Sequence, residues 1–304
     1  MQAKRHPLQT EISGGKHLDD LDTSALVSTL VESQAHAIGA LEKAMPAIDR
    51  AIEAALPVLS EESGRLIYCG AGTSGRVALL DAVELGPTFD WPPERMLVLL
   101  AGGTENFAAA QEAAEDDTDA ARTAVSDAEV GATDVVVGIA ASGTTPFVLE
   151  CMSQARKRGA TTIGCANNDG TPLLRSVDWP VLLDTGPEAL PGSTRLTAGT
   201  SQKILMNVLS TALMVRLGRV YQGRMVSMRV SNSKLAGRAV TMVMDIAGCD
   251  EEAARQALEA CAYDVKQAIL VAEGVTPGEA AALLSRTRQR LDEAIALLKG
   301  RPSG

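Results

Sequence analysis

Two hydrophobic patterns alternate along the first two thirds of the chain. Short and almost continuous apolar runs predict buried strands over residues 65–69, 96–100, 134–140, 160–165 and 181–183. Segments with helical spacing, including 105–117 and 145–158, separate these strands. Strands that are apolar on both sides and alternate with helices are typical of a parallel sheet covered on both faces. The pattern therefore predicts an α/β fold with a doubly wound parallel sheet.

Helices are predicted on either side of this region. Residues 23–44 form one predicted helix, which Pro46 interrupts, and a second continues to about residue 59. Residues 197–217 and 230–247 are long predicted helices, and beyond Gly248 no strand signal remains. The last segment is predicted to form three helices, with breaks near Cys261 and Gly274. We therefore expect an N-terminal arm (1–22), an α/β domain (23–248) and a small all-helical domain (249–304).

Composition excludes several classes of protein. The 304 residues carry 28 Lys and Arg against 38 Asp and Glu, a net charge of −10, and only 2 Trp, 3 Tyr and 3 Phe. An acidic chain with few aromatic residues is unsuited to nucleic acid or to an anionic membrane surface. No 18-residue apolar run predicts a membrane span. Five cysteines without a CxxC motif, and a start without an apolar signal segment, favour reduced thiols and the cytoplasm.

Histidine is scarce, which limits the available chemistry. The three histidines, His6, His17 and His36, all precede the first predicted strand. A histidine triad or a His-rich zinc site is therefore not expected, and neither a metal nor a redox cofactor is predicted. Acid–base catalysis, where present, would fall to Asp or Glu.

The first glycine-rich loop has the features of an anion site. The strand 65–69 continues into Gly-Ala-Gly-Thr-Ser-Gly-Arg (70–76), and a helical run follows. Glycines allow close approach of the backbone, and amides at a helix N-terminus attract phosphate. A dinucleotide site would need an acidic residue after the second strand, where Ala101-Gly102-Gly103 stands instead. We predict phosphate ligands at Gly72, Thr73 and Ser74, with a purely structural turn as the other reading.

A second loop of similar design follows the strand 134–140. It reads Ser142-Gly143-Thr144-Thr145-Pro146, and a helix again follows. Thr145 could be an ordinary helix cap with proline at the first helical position. However, ligands of open α/β sheets bind at the carboxyl ends of the strands, and two hydroxyl-rich loops at that edge indicate a clamp for a small phosphorylated molecule. Ser142, Thr144 and Thr145 are therefore predicted ligands.

A third segment makes a family resemblance specific. Residues 186–188 read GPE, 192–195 read GSTR and 198–203 read AGTSQK; with LDAVELGPTF (80–89) and EDD (115–117), the chain resembles N-acetylmuramic acid 6-phosphate etherases from about residue 8 to 300. The resemblance implies a sugar-isomerase (SIS) domain, a small C-terminal helical domain and a cytoplasmic homodimer whose sites are completed near the subunit interface. The chain departs from the family's usual pattern at Thr144 and Thr197, where the family has cations.

The resemblance also implies an activity and its residues. Enzymes of this family cleave the lactyl ether of N-acetylmuramic acid 6-phosphate, giving N-acetylglucosamine 6-phosphate and D-lactate, in the recycling of cell-wall murein. On this basis Glu84 is the principal acid/base and Glu115 assists it. Glu84 would reach a site through the turn 85–88, or would serve a neighbouring subunit. The remaining predicted substrate ligands are Glu188, Ser193 and Lys203, the last of which could instead be a solvated helix lysine.

Two other functions remain open at this stage. SIS domains also occur in regulators, so a non-catalytic sugar-phosphate sensor is the main alternative. A DNA-binding regulator is disfavoured, because no helix-turn-helix with a basic recognition face is evident. An aldose–ketose isomerase would use similar phosphate loops, but the segments 80–89 and 186–195 fit the etherase better.

Overall fold

The computed structural model describes residues 17–106 and 112–300. These residues form two compact units. One unit takes in the described residues up to Ala82 together with Glu94–Ser210, and the other comprises Val83–Pro93 and the residues from Thr211 onward. The predicted division into 23–248 and 249–304 lies later in the chain and stays a prediction. Most of the predicted arm, residues 1–16, lies outside the described residues.

The first unit contains a five-stranded parallel sheet. Its strands are β1 (Arg65–Gly70), β2 (Met96–Leu100), β3 (Asp134–Ile139), β4 (Thr161–Ala166) and β5 (Trp179–Leu182). Their order across the sheet is β2-β1-β3-β4-β5, and every neighbouring pair is parallel. The predicted parallel α/β architecture is thereby confirmed.

This strand order creates a switch point between β1 and β3. Successive connections run from β1 outward to β2 and then back across to β3, which pairs with β1 from Arg65↔Asp134 to Gly70↔Ile139. The loops after these two strands therefore start about 5 Å apart, the spacing of neighbouring strands. A switch point is where open α/β sheets form ligand crevices.

Helices of the first unit cover both faces of the sheet. They are α1 (Thr23–Leu59), α3 (Thr118–Asp127), α4 (Pro146–Lys157), α5 (Pro172–Ser176) and the first parts of α2 (Gly72–Phe89) and α6 (Thr197–Arg216), both of which end in the second unit. On one face, Ile67 and Val136 pack with Phe147 of α4. On the other, the buried Tyr68 hydroxyl donates to Asp81 of α2 at 2.9 Å, and burial is the main reason that the pKa of Tyr68 is raised well above 10.

The predicted break at Pro46 is wrong, because α1 continues through it to Leu59. The apolar stripe of α1 is buried on both sides of the proline, at Ala44 and Ile48. Packing of that stripe against the sheet outweighs the lost backbone hydrogen bond. The helix ends where Arg95 donates to the carbonyl oxygens of Leu59 and Glu61, at 2.7 and 2.9 Å.

The predicted helix 105–117 is also wrong in its described parts. Thr104–Asn106 and Glu112–Asp116 are short 3₁₀ helices, and residues 107–111 lie outside the described residues. The α-helix begins later, at Thr118, because Asp117 accepts a hydrogen bond from Ala120 N at 2.8 Å. An N-terminal aspartate cap of this kind fixes where a helix begins.

The second unit is helical throughout its described regular structure. Its helices are α7 (Ser233–Ala247), α8 (Glu251–Ala260), α9 (Val265–Ala272), α10 (Pro277–Arg286) and α11 (Leu291–Leu298). Beyond Gly248 there are four helices rather than the predicted three, because Thr287 and its neighbours add a break before α11. A shared core of Val243, Leu258 and Ile269 holds them together.

Among the described residues, no helix taken alone has the length and apolar character needed to cross a membrane. Only α9 and α10 taken together satisfy both criteria, and they are bent by 118°. All five cysteines are described and none forms a disulfide. Burial raises the pKa of the Cys165 thiol to about 12, which makes the reactive thiolate scarce at neutral pH.

Gly164 of β4 offers a test of how tightly the sheet is packed. A Cβ at this position would lie 2.8 and 2.9 Å from the two γ-carbons of Val177, a side chain that is stiff at χ1. We expect Gly164→Ala to lower the free energy of unfolding by about 1–3 kcal/mol in urea titrations. Gly39→Ala, with nothing within 4 Å of the added methyl, is the control and should be neutral or slightly stabilising. Equal effects of the two substitutions would contradict this packing.

Candidate functional site

The first loop joins β1 to α2 with almost no intervening chain. A Cβ on Gly70 would lie 2.6 Å from Gly75 Cα, so only glycine lets these two backbone segments approach so closely. Gly72 has φ +52°, a conformation that glycine adopts without strain. Thr73 and the buried Ser74 follow in the first turn of α2, where backbone amides have no partner within the helix.

Glu115 lies against this loop. Its Oε1 would be 2.6 Å from a Cβ added at Gly72, so the carboxylate touches the backbone where α2 begins. The side chain is partly exposed. The structure therefore brings Glu115 together with Gly72, as a shared site requires.

The second loop presents its hydroxyl groups at the end of β3. Ser142 Oγ lies 3.5 Å from Thr145 Oγ1 and accepts a hydrogen bond from Thr144 N at 3.2 Å. Proline is the first residue of α4, as predicted, but the Thr145 side chain makes no capping hydrogen bond. Gly143 has φ +66°, and a Cβ there would lie 2.3 Å from Thr171 Oγ1. The loop is thus fixed by its backbone, and its hydroxyls are not consumed in capping the helix.

Glu188 organises the third segment. Its two carboxylate oxygens accept hydrogen bonds from Thr197 N and Ala198 N, both at 2.9 Å, and the residue has no exposed surface. The carboxylate therefore occupies the positive end of α6. Both oxygens are thus engaged by the helix, so Glu188 positions α6 in this structure. Its expected contact with substrate stays a prediction.

The start of α6 lies beside the first loop. A Cβ added at Gly199 would be 3.4 Å from Thr73 Cγ2. Ser193 is partly exposed in the loop before α6, and its amide donates to Leu190 O at 3.0 Å. Lys203 donates along the helix to Asn207 Oδ1 at 2.6 Å. The first loop and the start of α6 thus meet at Thr73, and Ala141, just before the second loop, packs with Ala198 of α6. Substrate contacts of Ser193 and Lys203 stay predictions.

Thr197 does not face solvent. It is 1% exposed, and its hydroxyl donates to Ser33 O at 3.4 Å and accepts from Gln34 Nε2 at 3.3 Å, both on α1. The family's cation at this position is replaced here by a helix-packing contact.

A buried polar network beneath the loops escaped the sequence analysis. Asn167, at the end of β4, donates to Ser201 Oγ at 2.9 Å and accepts from Gln202 Nε2 at 2.9 Å. Asn168 donates to Ala141 O, just before the second loop, at 2.9 Å. Four buried oxygens in this region have no hydrogen-bond partner among the residues that the structure describes: Asn168 Oδ1, Thr171 Oγ1, Thr185 Oγ1 and Gln202 Oε1. The signal was available, because Asn167 and Asn168 follow a predicted strand at the same sheet edge.

Glu84, the predicted principal acid/base, is not part of either loop. It is exposed on α2 and belongs to the second unit. The predicted turn 85–88 is wrong, since α2 continues through Gly86 and Pro87 to Phe89. A catalytic role for Glu84 through that turn is therefore excluded, and its service to a neighbouring subunit stays a prediction.

Over residues 17–106 and 112–300, no group of three or more His, Cys, Asp or Glu side chains could hold a metal ion.

Comparison with known families assigns both parts of the chain. Residues 47–156 match the family model of the N-terminal SIS domain of glucokinase regulatory protein, and residues 222–277 match that of its C-terminal lid domain. Phosphoheptose isomerase from Francisella tularensis superposes with a TM-score of 0.51 at 18% identity, covering 64% of this chain and 100% of that one. The likeness shows that the fold is that of an SIS domain.

Sequence relatives are closer. N-acetylmuramic acid 6-phosphate etherase of Deinococcus radiodurans is 49% identical over 285 residues, covering 92% of this chain and 93% of the relative. The enzyme of the same name from Rubrobacter xylanophilus is 44% identical over 264 residues, covering 86% and 87%. The chain therefore belongs to the N-acetylmuramic acid 6-phosphate etherase family of carbon–oxygen lyases.

Proposed function

We propose that this protein cleaves the D-lactyl ether of N-acetylmuramic acid 6-phosphate, releasing D-lactate and N-acetylglucosamine 6-phosphate. The observation that supports the proposal is that two hydroxyl-rich loops follow the neighbouring strands β1 and β3, with Glu115 against the first of them. The 49% identity to a named etherase over nearly the whole chain supports the choice of substrate. We further propose that the reaction serves the recycling of murein in the cytoplasm.

The proposed reaction is an elimination followed by hydration. A base removes the proton at carbon 2 of the open-chain sugar, where the aldehyde at carbon 1 delocalises the resulting charge. Lactate leaves from carbon 3 as an acid protonates its ether oxygen, and water then adds to the double bond. One acid and one base are needed, and carboxyl groups in the right environment supply both.

Phosphate binding falls to neutral donors. The first amides of α2 and the hydroxyls of Thr73 and Ser74 form one arm, and Ser142, Thr144 and Thr145 form the other. Amides at a helix N-terminus stabilise an anion without a formal charge. Ser193 and Lys203 complete the proposed sugar site, and Glu188 positions α6 beside Thr73.

The two glutamates have separate proposed roles. Glu115 touches the first loop of its own chain and assists proton transfer there. Glu84 protonates the departing lactyl oxygen in the site of a second copy. Its neighbours on α2, Leu80 and Val83, are 46% and 57% exposed. On α1, Val31 and Ile38 are 66% and 51% exposed. Exposed apolar side chains at helical spacing support a homodimer that covers these faces.

Removing either carboxylate tests the assignment. We expect Glu84→Gln and Glu115→Gln each to slow D-lactate release about 10²–10⁴-fold, the usual contribution of general acid–base catalysis. Binding of N-acetylglucosamine 6-phosphate should persist in both, since neither is a proposed phosphate ligand. Glu94→Gln, an exposed carboxylate, is the matched control. Full activity in Glu84→Gln would overturn its role, and an unsubstituted protein that binds the product but releases no lactate would be a sensor.

Mixed dimers test which subunit supplies Glu84. When Glu84→Gln and Glu115→Gln chains are mixed in equal amounts, half of the dimers are hybrids. If Glu84 serves the partner's site, each hybrid contains one intact site, and about a quarter of the unsubstituted activity should return. If both glutamates act within one chain, no site is intact and the mixture stays inactive.

Ser142→Ala tests the second loop. Loss of a hydrogen bond to a charged phosphate costs about 1.5–3 kcal/mol, so the Kd for N-acetylglucosamine 6-phosphate should rise about 10- to 100-fold in calorimetric titrations. Ser126→Ala on the exposed face of α3 should leave the Kd unchanged. Unchanged affinity in Ser142→Ala would remove this residue from the phosphate site.

A further inference from the structure

The second unit contains a pocket of its own. Its volume is about 330 Å³, which lies at the small end of the range for ligand sites. The lining comes from Asp90, Arg219, the segment 226–230, the segment 262–266 that joins α8 to α9, and Gln289. All of these residues belong to the second unit.

Lys266 is the most unusual group in this pocket. It is only 4% exposed, and its Nζ donates to Gln289 O at 2.7 Å. An ammonium group has three donors, yet among the described residues no carboxylate lies within ion-pairing distance of this one. Buried lysines are almost always paired, since an isolated buried charge is costly.

Arg219 is a second cation that forms no ion pair with any carboxylate in the described part of the chain. Its Nη1 donates to the carbonyl oxygens of Phe89 and Asp90, at 3.4 and 3.1 Å, and its guanidinium lies 5.5 Å from the Trp91 ring centroid. Burial lowers the pKa of Arg219. The guanidinium is thus held in place by backbone and ring contacts.

The carboxylates of the pocket are already engaged. Asp90 Oδ1 pairs with Arg229 at 3.1 Å. Asp264 caps α9, accepting from Gln267 N at 3.0 Å and from Gln267 Nε2 at 2.9 Å. The Ser227 hydroxyl is shielded from solvent and has no hydrogen-bond partner within residues 17–106 and 112–300. Two cations and a hydroxyl donor therefore line the pocket with no anion assigned to them.

We propose that this pocket is a binding site for a small oxyanion, inorganic phosphate or the phosphate group of a small metabolite. Lys266 and Arg219 supply the charge, and Ser227 donates a hydrogen bond. Charge-assisted hydrogen bonds of this kind are the strong ones in proteins. The site is independent of the proposed catalytic loops, because none of its residues belongs to them.

The protonation of Lys266 gives the site a pH dependence. Burial and the nearby Arg219 lower the pKa of Lys266 to about 7, Asp264 and Asp292 act to raise it, and Arg290 acts to lower it. The anion binds the charged lysine, so affinity is greatest below this pKa and falls as pH rises above it. Binding near neutral pH should accordingly take up a proton.

Sulfate is the first probe, since it does not titrate between about pH 6 and pH 8.5. We expect sulfate to bind the purified protein. Its Kd at about pH 8.5 should be about tenfold or more higher than its Kd at about pH 6. Lys266→Met should abolish binding and its pH dependence, while Lys299→Met, which removes a surface partner of Glu273, should retain both. Ser227→Ala should weaken binding several-fold and covers the case in which Lys266→Met fails to fold.

Two results would overturn the proposal. One is undetectable sulfate binding, or binding that is equal in the unsubstituted protein and in Lys266→Met or Ser227→Ala. The other is loss of sulfate binding in Ser142→Ala, which would place the anion at the strand edge. Titrations with inorganic phosphate and with glycerol phosphate then show whether the pocket binds a free anion or a phosphate monoester more tightly. Lactate release, measured separately, reports on the proposed function and not on this pocket.

Discussion

The close approach of Gly70 and Gly75 is the constraint on which the site depends. A side chain at Gly70 would meet Gly75 Cα at 2.6 Å, and one at Gly75 would meet Leu100 Cδ1 at 2.3 Å. The two glycines therefore let α2 begin directly at the end of β1 and pack against β2. Because β1 lies between β2 and β3 in the sheet, a helix that begins directly at the end of β1 begins at the β1/β3 switch point. Larger residues would move the helix and with it every donor of the first loop.

Carboxylates and proposed phosphate donors both lie beyond the carboxyl ends of the strands, and each carboxylate has a defined contact there. Glu188 is taken up by the first amides of α6, so the positive end of that helix is already neutralised. The corresponding end of α2 carries hydroxyls, and Glu115 lies against its first residue, Gly72. Under the proposed function, an acidic protein would hold a phosphate through local dipoles, with Glu115 kept beside the first loop.

Local signals in the sequence predicted the strands and the two loops, since apolar runs and glycines are read over a few residues. These local signals gave wrong or missing predictions where contacts between residues far apart in the sequence determine the structure. Pro46 stays within α1 because Ala44 and Ile48 are buried on either side of it, and Pro87 likewise lies inside α2. The network of Asn167, Ser201 and Gln202 joins residues more than 30 positions apart, which no local pattern encodes. Glu188 was expected at the substrate because its motif pointed there, whereas its burial follows from the tertiary position of α6.

The two proposed anion sites use different kinds of donor. At the strand edge the proposed donors are amides and hydroxyls, whose strength is the same throughout the physiological pH range. A phosphate bound there would stay bound whatever the protonation state of nearby side chains, which suits a reaction in which protons move at other atoms of the same sugar. In the helical unit the anion would meet Lys266, whose charge changes near neutral pH. Occupancy of the proposed pocket would therefore follow both anion concentration and pH, and none of the residues that line the pocket belongs to the two loops.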